Sequence, residues 1–360
     1  MLTNKVERFA LSVLRFGWET PTLNAQRSTL NVLFAVLLLA GAVCAHAADS
    51  QAAPRQSRSM ADWLARLHQA GQAPSYSGTY VVSSAAGTLS SARIEHYGRG
   101  GTQLERIEAL TGEPRVTFRR NDTVLVYLPV QRVVRSEPRA PGGEFPNLLT
   151  SGLAASVEAF YAAEPDGQGR VAGADADIVR IKPLDRLRYG YRIWSERQTG
   201  LIVKIQTLDE HGRVLEQSAF SELTLHAPVQ PRKLLRAMDG SAGYRPMRSD
   251  RLPTTAGREG WALSADVPGF APQACYRQQM PDGREPLVQW MFSDGLATVS
   301  LFLERLEEGV AAHEGVSAVG ATHVLTRRVA DGPHVWRLTA MGEVPVRTLQ
   351  EFAARLRPGR

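Results

Sequence analysis

The sequence predicts an α+β protein, with a large antiparallel β domain covered by helices followed by a smaller C-terminal α+β domain. Three observations predict it. Short β-branched and aromatic runs follow one another around turn signals from Tyr76 to Phe220. Segments with apolar residues at helical spacing precede these runs, interrupt them and close the chain. Between the two halves, Pro228 to Ala256 is rich in Arg, Pro, Gly and Ser and lacks periodicity, which reads as a linker. The expected domains are therefore residues 59–227 and 257–360, joined by 228–256.

The N-terminus reads as a targeting segment and not as part of the fold. Leu30 to Val43 is an almost unbroken apolar run preceded by Arg27, and Ala45-His46-Ala47 is a small-x-small cleavage site. The run is shorter than the roughly 20 residues a bilayer span needs. Residues 1–47 are expected to be a signal peptide and residues 48–58 a disordered lead-in; residues 1–29 are longer than a usual n-region, which leaves the start codon open between Met1 and a downstream position. Cys44 fits a lipobox poorly, because Val43 stands where a small residue is wanted. Cys275 is then the one cysteine of the mature chain, so no intramolecular disulfide forms even in an oxidising compartment. It reads as a small buried apolar residue, with a regulatory thiol as the alternative.

Ser59 opens a helix in which Met60, Trp63, Leu64 and Leu67 form one stripe, and Ser59 with Asp62 resembles a capping box. Alternation then runs through Tyr76 to Ser84, through Ala92, Ile94 and His96, and through Val116 and Phe118 against Arg115, Thr117 and Arg119. Val124, Val126 and Leu128 make a further run before Pro129. This is the pattern of an antiparallel sheet with one buried face. A weaker helical segment spans Leu153 to Ala162, and Gln168 to Ala174 reads as a Gly/Ala loop. Ile178–Ile181, Tyr191–Trp194, Leu201–Thr207 and Val214–Phe220 form a meander turned at Arg197-Gln198-Thr199-Gly200 and Asp209-Glu210-His211-Gly212. In the second domain, Ser293-Asp294-Gly295 and Ala330-Asp331-Gly332-Pro333 each sit between two strand-like runs. Val346 to Leu356 is a closing helix with Leu349, Phe352, Ala353 and Leu356 on one face.

Enzymatic chemistry finds no support in these residues. Gly167-x-Gly169-x-x-x-Gly173 has a polar loop before it and a strand after it, whereas a dinucleotide loop needs the reverse order of strand and helix. Gly240-Ser241-Ala242-Gly243 lacks the residue that a nucleophile elbow places between Gly and Ser. The histidines His68, His96, His211, His226, His313, His323 and His334 are scattered without metal-ligand spacing, and Asp209-Glu210-His211 belongs to a tight turn. No cofactor or metal is expected. The formal net charge of +6 comes almost wholly from arginine, which favours acidic partners or phosphorylated lipid head groups. A basic helix and an aromatic stacking motif are both missing, so nucleic acid is not an expected partner.

A binding role is better supported. Tyr80, Val82, Ile94, Phe118, Val126, Tyr191 and Ile193 would line the concave face of a sheet closed by the helices Ser59 to Gln69 and Leu153 to Ala162. They form either an ordinary core or a hydrophobic pocket suited to acyl chains.

Several linked motifs carry a family resemblance. Arg170-Val171-Ala172-Gly173, Pro183-x-Asp185, Arg188-Tyr189-Gly190-Tyr191-x-x-Trp194, Thr199-Gly200-Leu201 and Asp209-x-x-Gly212-x-Val214-Leu215-Glu216-Gln217 resemble the hallmark block of the MucB/RseB family. Phe292-Ser293-Asp294-Gly295-Leu296 and Gly342-Glu343-Val344-Pro345 are similar to that family's C-terminal domain. The resemblance covers roughly residues 60 to 358. It implies a large domain shaped as a half-open β-barrel like that of periplasmic lipoprotein carriers, holding lipid between sheet and helices. It implies a periplasmic negative regulator of the envelope-stress sigma factor. Such a protein binds the periplasmic part of a membrane-anchored anti-sigma factor, shields it from site-one proteolysis, and releases it on sensing lipid or lipopolysaccharide. The small domain, around Phe292, Leu296 and Trp336, is expected to supply much of the partner surface. A periplasmic lipid or lipoprotein carrier is the alternative, and assembly as a homo-oligomer is left open.

Overall fold

The computed structural model describes residues 60–70, 75–121, 123–138, 145–146, 154–248, 251–280, 285–307 and 313–359. The expected signal peptide, Cys44 and the lead-in 48–58 lie outside the described residues. Strands dominate. Helix α1 (Met60–Ala70) precedes β1 (Tyr76–Ser84), β2 (Leu89–Arg99), β3 (Thr102–Ala109), β4 (Val116–Arg120), β5 (Thr123–Leu128) and β6 (Val133–Pro138). Helix α2 (Ala154–Phe160) then leads into β7 (Tyr161–Val171), β8 (Ala174–Pro183), β9 (Gly190–Glu196), β10 (Ile202–Leu208) and β11 (Val214–Leu225). With β12 (Arg245–Arg248) these strands form one sheet in the order β12-β6-β5-β4-β3-β2-β1-β11-β10-β9-β8-β7. The expected meander is its β8-to-β11 half, where each strand pairs antiparallel with the next. Among the described residues, no helix is long and apolar enough to cross a membrane.

Two local expectations shift. The second helix ends at Phe160, and the stretch from Gln168, expected as a loop, continues as strand to Val171. Alternating apolar positions are sparse there, so the sequence pattern misses a strand that its ladder with β8 holds in place.

Residues 228–248, expected as part of a linker, are built into the large lobe. Pro231 opens helix α3 (Pro231–Asp239), where its missing N–H has no consequence, and Leu234 and Met238 are its buried residues. Met238 joins Phe118, Tyr127 and Val134 in one cluster, and Tyr127 Oη donates to the Met238 carbonyl at 2.5 Å. Strand β12 pairs parallel with β6. The stripe escapes a periodicity search because two buried residues suffice to seat so short a helix.

The small lobe is a second sheet, ordered β13-β15-β16-β17-β20-β19-β18. Its strands are β13 (Arg251–Pro253), β15 (Ala271–Gln278), β16 (Leu287–Ser293), β17 (Thr298–Arg305), β18 (Gly315–Val319), β19 (Thr322–Asp331) and β20 (His334–Gly342). Helix α4 (Val346–Arg355) buries Leu349 and Phe352 against it, and β14 (Trp261–Leu263) pairs with β21 (Leu356–Pro358) beside it. Both expected hairpins of this domain form, β16–β17 and β19–β20.

Candidate functional site

The loop between β8 and β9 leaves the large sheet and enters the small lobe. Asp185 Oδ1 accepts the Leu187 N–H at 2.9 Å and turns the loop. Leu187 packs against the small-lobe core, and its carbonyl accepts a hydrogen bond from Thr348 Oγ1 at 2.6 Å. The next residue, Arg188, is the centre of the joint. Its side chain is fully buried, with Nε donating to Asp294 Oδ2 at 2.8 Å and Nη2 to the Pro268 carbonyl at 2.6 Å. Nη1 donates to Asp185 Oδ2. The guanidinium lies 4.3 Å from the Phe160 ring centroid and 4.9 Å from that of Phe270, so its faces are stacked while its edges are bonded.

Asp294 is equally buried and serves both lobes. Its Oδ1 accepts the N–H groups of Leu296 at 3.0 Å and Ala297 at 2.8 Å, which closes the β16–β17 turn. Its Oδ2 accepts from Arg188 and, at 2.8 Å, from the Tyr161 hydroxyl of β7. Burial, and then the Asp294 carboxylate, push the Tyr161 phenol well above its ordinary value, so it remains a donor. A buried ion pair is costly to assemble and costly to break singly, because the survivor is left charged without a partner. The pair therefore fixes geometry more than it adds net stability.

Neighbouring contacts repeat the theme. Gly269 has φ +79°, and a Cβ there would stand 2.1 Å from Arg188 Nη2 and 2.7 Å from the Phe160 ring, so glycine alone fits. His323 Nδ1 donates to the Val344 carbonyl at 3.0 Å and lies 3.1 Å from the Tyr189 hydroxyl. Burial lowers the His323 pKa, opposed by the bond to Val344. At the β18–β19 turn, the Ala321 N–H bonds the Glu216 carboxylate of β11. Leu296 crosses into the large lobe and packs with Trp63, Leu64, Val157, Tyr161, Tyr191 and Ile193. The cluster around Trp63 and Tyr191 in the large lobe and the joint are thus continuous.

The proposed pocket residues divide among separate clusters. Tyr191 and Ile193 lie under α1 and α2. Tyr80, Val82 and Ile94 belong to a neighbouring cluster around Tyr76 and Phe220. Phe145 joins the two, with its ring 5.3 Å from Tyr80 and 5.2 Å from Phe220. Val126 shares the Ile94 face, since register places Ile94 opposite Ile107, Ile107 opposite Thr117 and Thr117 opposite Val126. Phe118 is one residue out of that row and points to the opposite face, against Tyr127 and α3. Alternation alone gives two faces without saying which is concave.

Of the partner candidates, Phe292 is 2 % exposed in the small-lobe core and Leu296 is 8 % exposed in the joint. Trp336 is half-buried, its ring 5.2 Å from that of Trp261. Sequence reasoning did not assign a role to Arg188, Asp294 or Tyr161. The motif residues at 183–191 and 292–296 were the available signal, and they meet here. The Cys275 thiol is pushed up to about 11 by burial and then by Glu259, so it stays protonated at neutral pH.

Comparison with known proteins places these features. Residues 59–238 match the model of the MucB/RseB N-terminal domain, and residues 255–357 that of the MucB/RseB C-terminal domain. The chain is 29 % identical over 335 residues to the sigma factor AlgU regulatory protein MucB of Pseudomonas aeruginosa, spanning 90 % of this chain and 96 % of that protein. The solved structure of the Pseudomonas aeruginosa MucA/MucB complex aligns with a TM-score of 0.67 at 27 % identity, over 84 % of this chain and 99 % of the matched chain. A structure of MucB in complex with MucA(peri) aligns with a TM-score of 0.66 at 26 % identity, over 84 % and 99 %. With both domain models matched in order and the joint between them formed by residues of each, the chain belongs to the MucB/RseB family.

Proposed function

We propose that this protein is a periplasmic negative regulator of an envelope-stress sigma factor. It binds the periplasmic segment of a membrane-anchored anti-sigma factor, shields that segment from site-one proteolysis, and releases it on sensing lipid or lipopolysaccharide. The observation that carries the reading is end-to-end similarity to a sigma-factor regulatory protein whose relatives are solved as complexes with MucA.

In this reading the large lobe is a half-open barrel, and acyl chains enter between its concave face and helices α1 and α2. Chains inserted beside Tyr191 and Ile193 must part the cluster that also holds Tyr161 and Leu296. Tyr161 is bonded to Asp294, and Leu296 follows Asp294 within the same turn. Displacement there loads the Arg188–Asp294 pair and shifts the small lobe. Lipid and partner then favour different lobe arrangements, and the coupling is the difference in lipid affinity between them.

A protection assay tests the proposal. The anti-sigma segment is incubated with site-one protease, with and without the chain from Ala48. Added chain should slow cleavage, and lipopolysaccharide should restore it. Cleavage at the same rate with and without the chain would overturn the regulatory reading.

A further inference from the structure

We propose that the outer edge of β18, with the groove between β18 and α4, receives an extended peptide segment of alternating apolar and acidic residues as an added strand. This rests on the reading that the chain binds a peptide segment of an anti-sigma factor, and it names where and how.

Strand β18 is last in the small-lobe sheet and pairs with β19 alone among the described residues. Its remaining backbone edge is therefore a template for another strand. Every residue of Gly315-Val316-Ser317-Ala318-Val319 is exposed, Val316 at 49 % and Val319 at 43 %. Proteins usually guard such an edge with lysine, proline or a bulge. This one carries none of these, and its register with β19 is unbroken.

The surroundings say what the added strand looks like. Val316 stands opposite Leu325, which is buried in the small-lobe core. A groove of about 160 Å³ opens beside them, lined also by Thr326, Arg327 and Gln350. An apolar residue of an incoming strand, placed next to Val316, would extend that apolar row. Arg327 is exposed at the groove, and Arg347 is exposed on α4 one turn before Gln350. Neither has an ion pair among the described residues. Glu314, which also lines the groove, accepts the Arg328 N–H at 2.7 Å. The Arg327 guanidinium, which lines the groove beside the open edge, fits a carboxylate two residues along from the apolar contact. Phe292 and Leu296 are occupied within the core and the joint, so Val316 and Val319 of β18 offer an exposed apolar contact on the small lobe instead, as Leu252 does at the opposite edge of the sheet.

The test uses the chain from Ala48 and the periplasmic segment of its cognate anti-sigma factor. Val316→Glu and Arg327→Glu each place a negative charge at an exposed position, so both variants should fold. Each should weaken binding at least about fivefold, and amide exchange at Val316 to Val319 should slow about tenfold or more in the complex. Normal affinity in both variants, or unchanged exchange at these amides while the wild type binds, would overturn the edge proposal and leave the regulatory reading standing. Absence of wild-type binding would instead overturn that reading itself.

Discussion

Replacing Asp294 with asparagine removes one charge from the joint while keeping its shape. At 2.8 Å and an effective dielectric of about 20, the attraction between Asp294 and Arg188 is about 6 kcal/mol. Desolvation of two buried ions offsets much of this, so the informative quantity is the cost of leaving one of them unpaired, about 3–5 kcal/mol. Asp185 still reaches Arg188 and asparagine Oδ1 still closes the β16–β17 turn, but the amide N–H2 in place of Oδ2 then faces the Arg188 Nε and Tyr161 donors. We therefore place Asp294→Asn in the middle of that range, about 4 kcal/mol. Guanidinium denaturation of the chain from Ala48, followed by tryptophan fluorescence, reads this in both lobes, because Trp63 and Trp194 sit in one and Trp261, Trp290 and Trp336 in the other. The double variant Arg188→Met/Asp294→Asn should recover part of the loss, since it removes the guanidinium that Asp294→Asn leaves without its partner and keeps an Oδ1 on the β16–β17 turn. A loss below about 1 kcal/mol for Asp294→Asn, the range of exposed pairs, would refute the buried joint.

Gly269→Ala should lower stability by at least about 2 kcal/mol in the same denaturation, through both its positive φ and the collision with Arg188; a neutral result would show that the loop yields freely. His323 has a folded pKa lowered by burial, so its neutral form is favoured in the native state. Its contribution is complete above the unfolded value of 6.5 and is lost as pH falls below it, and His323→Gln should flatten the change in denaturation midpoint between pH 7.5 and 5.5. Equal pH sensitivity in variant and wild type would exclude the histidine as its source. Cys275, raised to about 11, contributes stability that is present below its ordinary value of 9.0 and is lost as pH climbs through about 11. At pH 8 maleimide should label it far more slowly in the native than in the denatured chain, and equal rates would contradict its burial.

Much of the fold could be read from local pattern. The helix from Met60, the meander from Ile178 to Phe220, the hairpins at Asp294 and Gly332 and the closing helix each carry a strong periodic or turn signal, and each forms. What stayed hidden depends on distant partners. Helix α3 is recognisable by Leu234 and Met238 only once the Phe118 face of the sheet is known. Phe118 lies on the face opposite Ile94 and Val126, which a strand's alternation does not reveal until its neighbours are placed. The joint was least legible. Arg188 and Asp294 stand 106 residues apart, and nothing in either segment alone says that a buried arginine in one needs an aspartate from the other. Asp294 looked like turn chemistry, and it is, but only its Oδ1 is used that way.

Calorimetric titration of the chain from Ala48 with the periplasmic segment of its cognate anti-sigma factor, with and without lipopolysaccharide, tests the central claim most directly. Binding is expected at about micromolar affinity or tighter, near −8 kcal/mol, and weaker when lipopolysaccharide is present. Retained lipid binding with no affinity for the segment would contradict it and place the protein among lipid carriers.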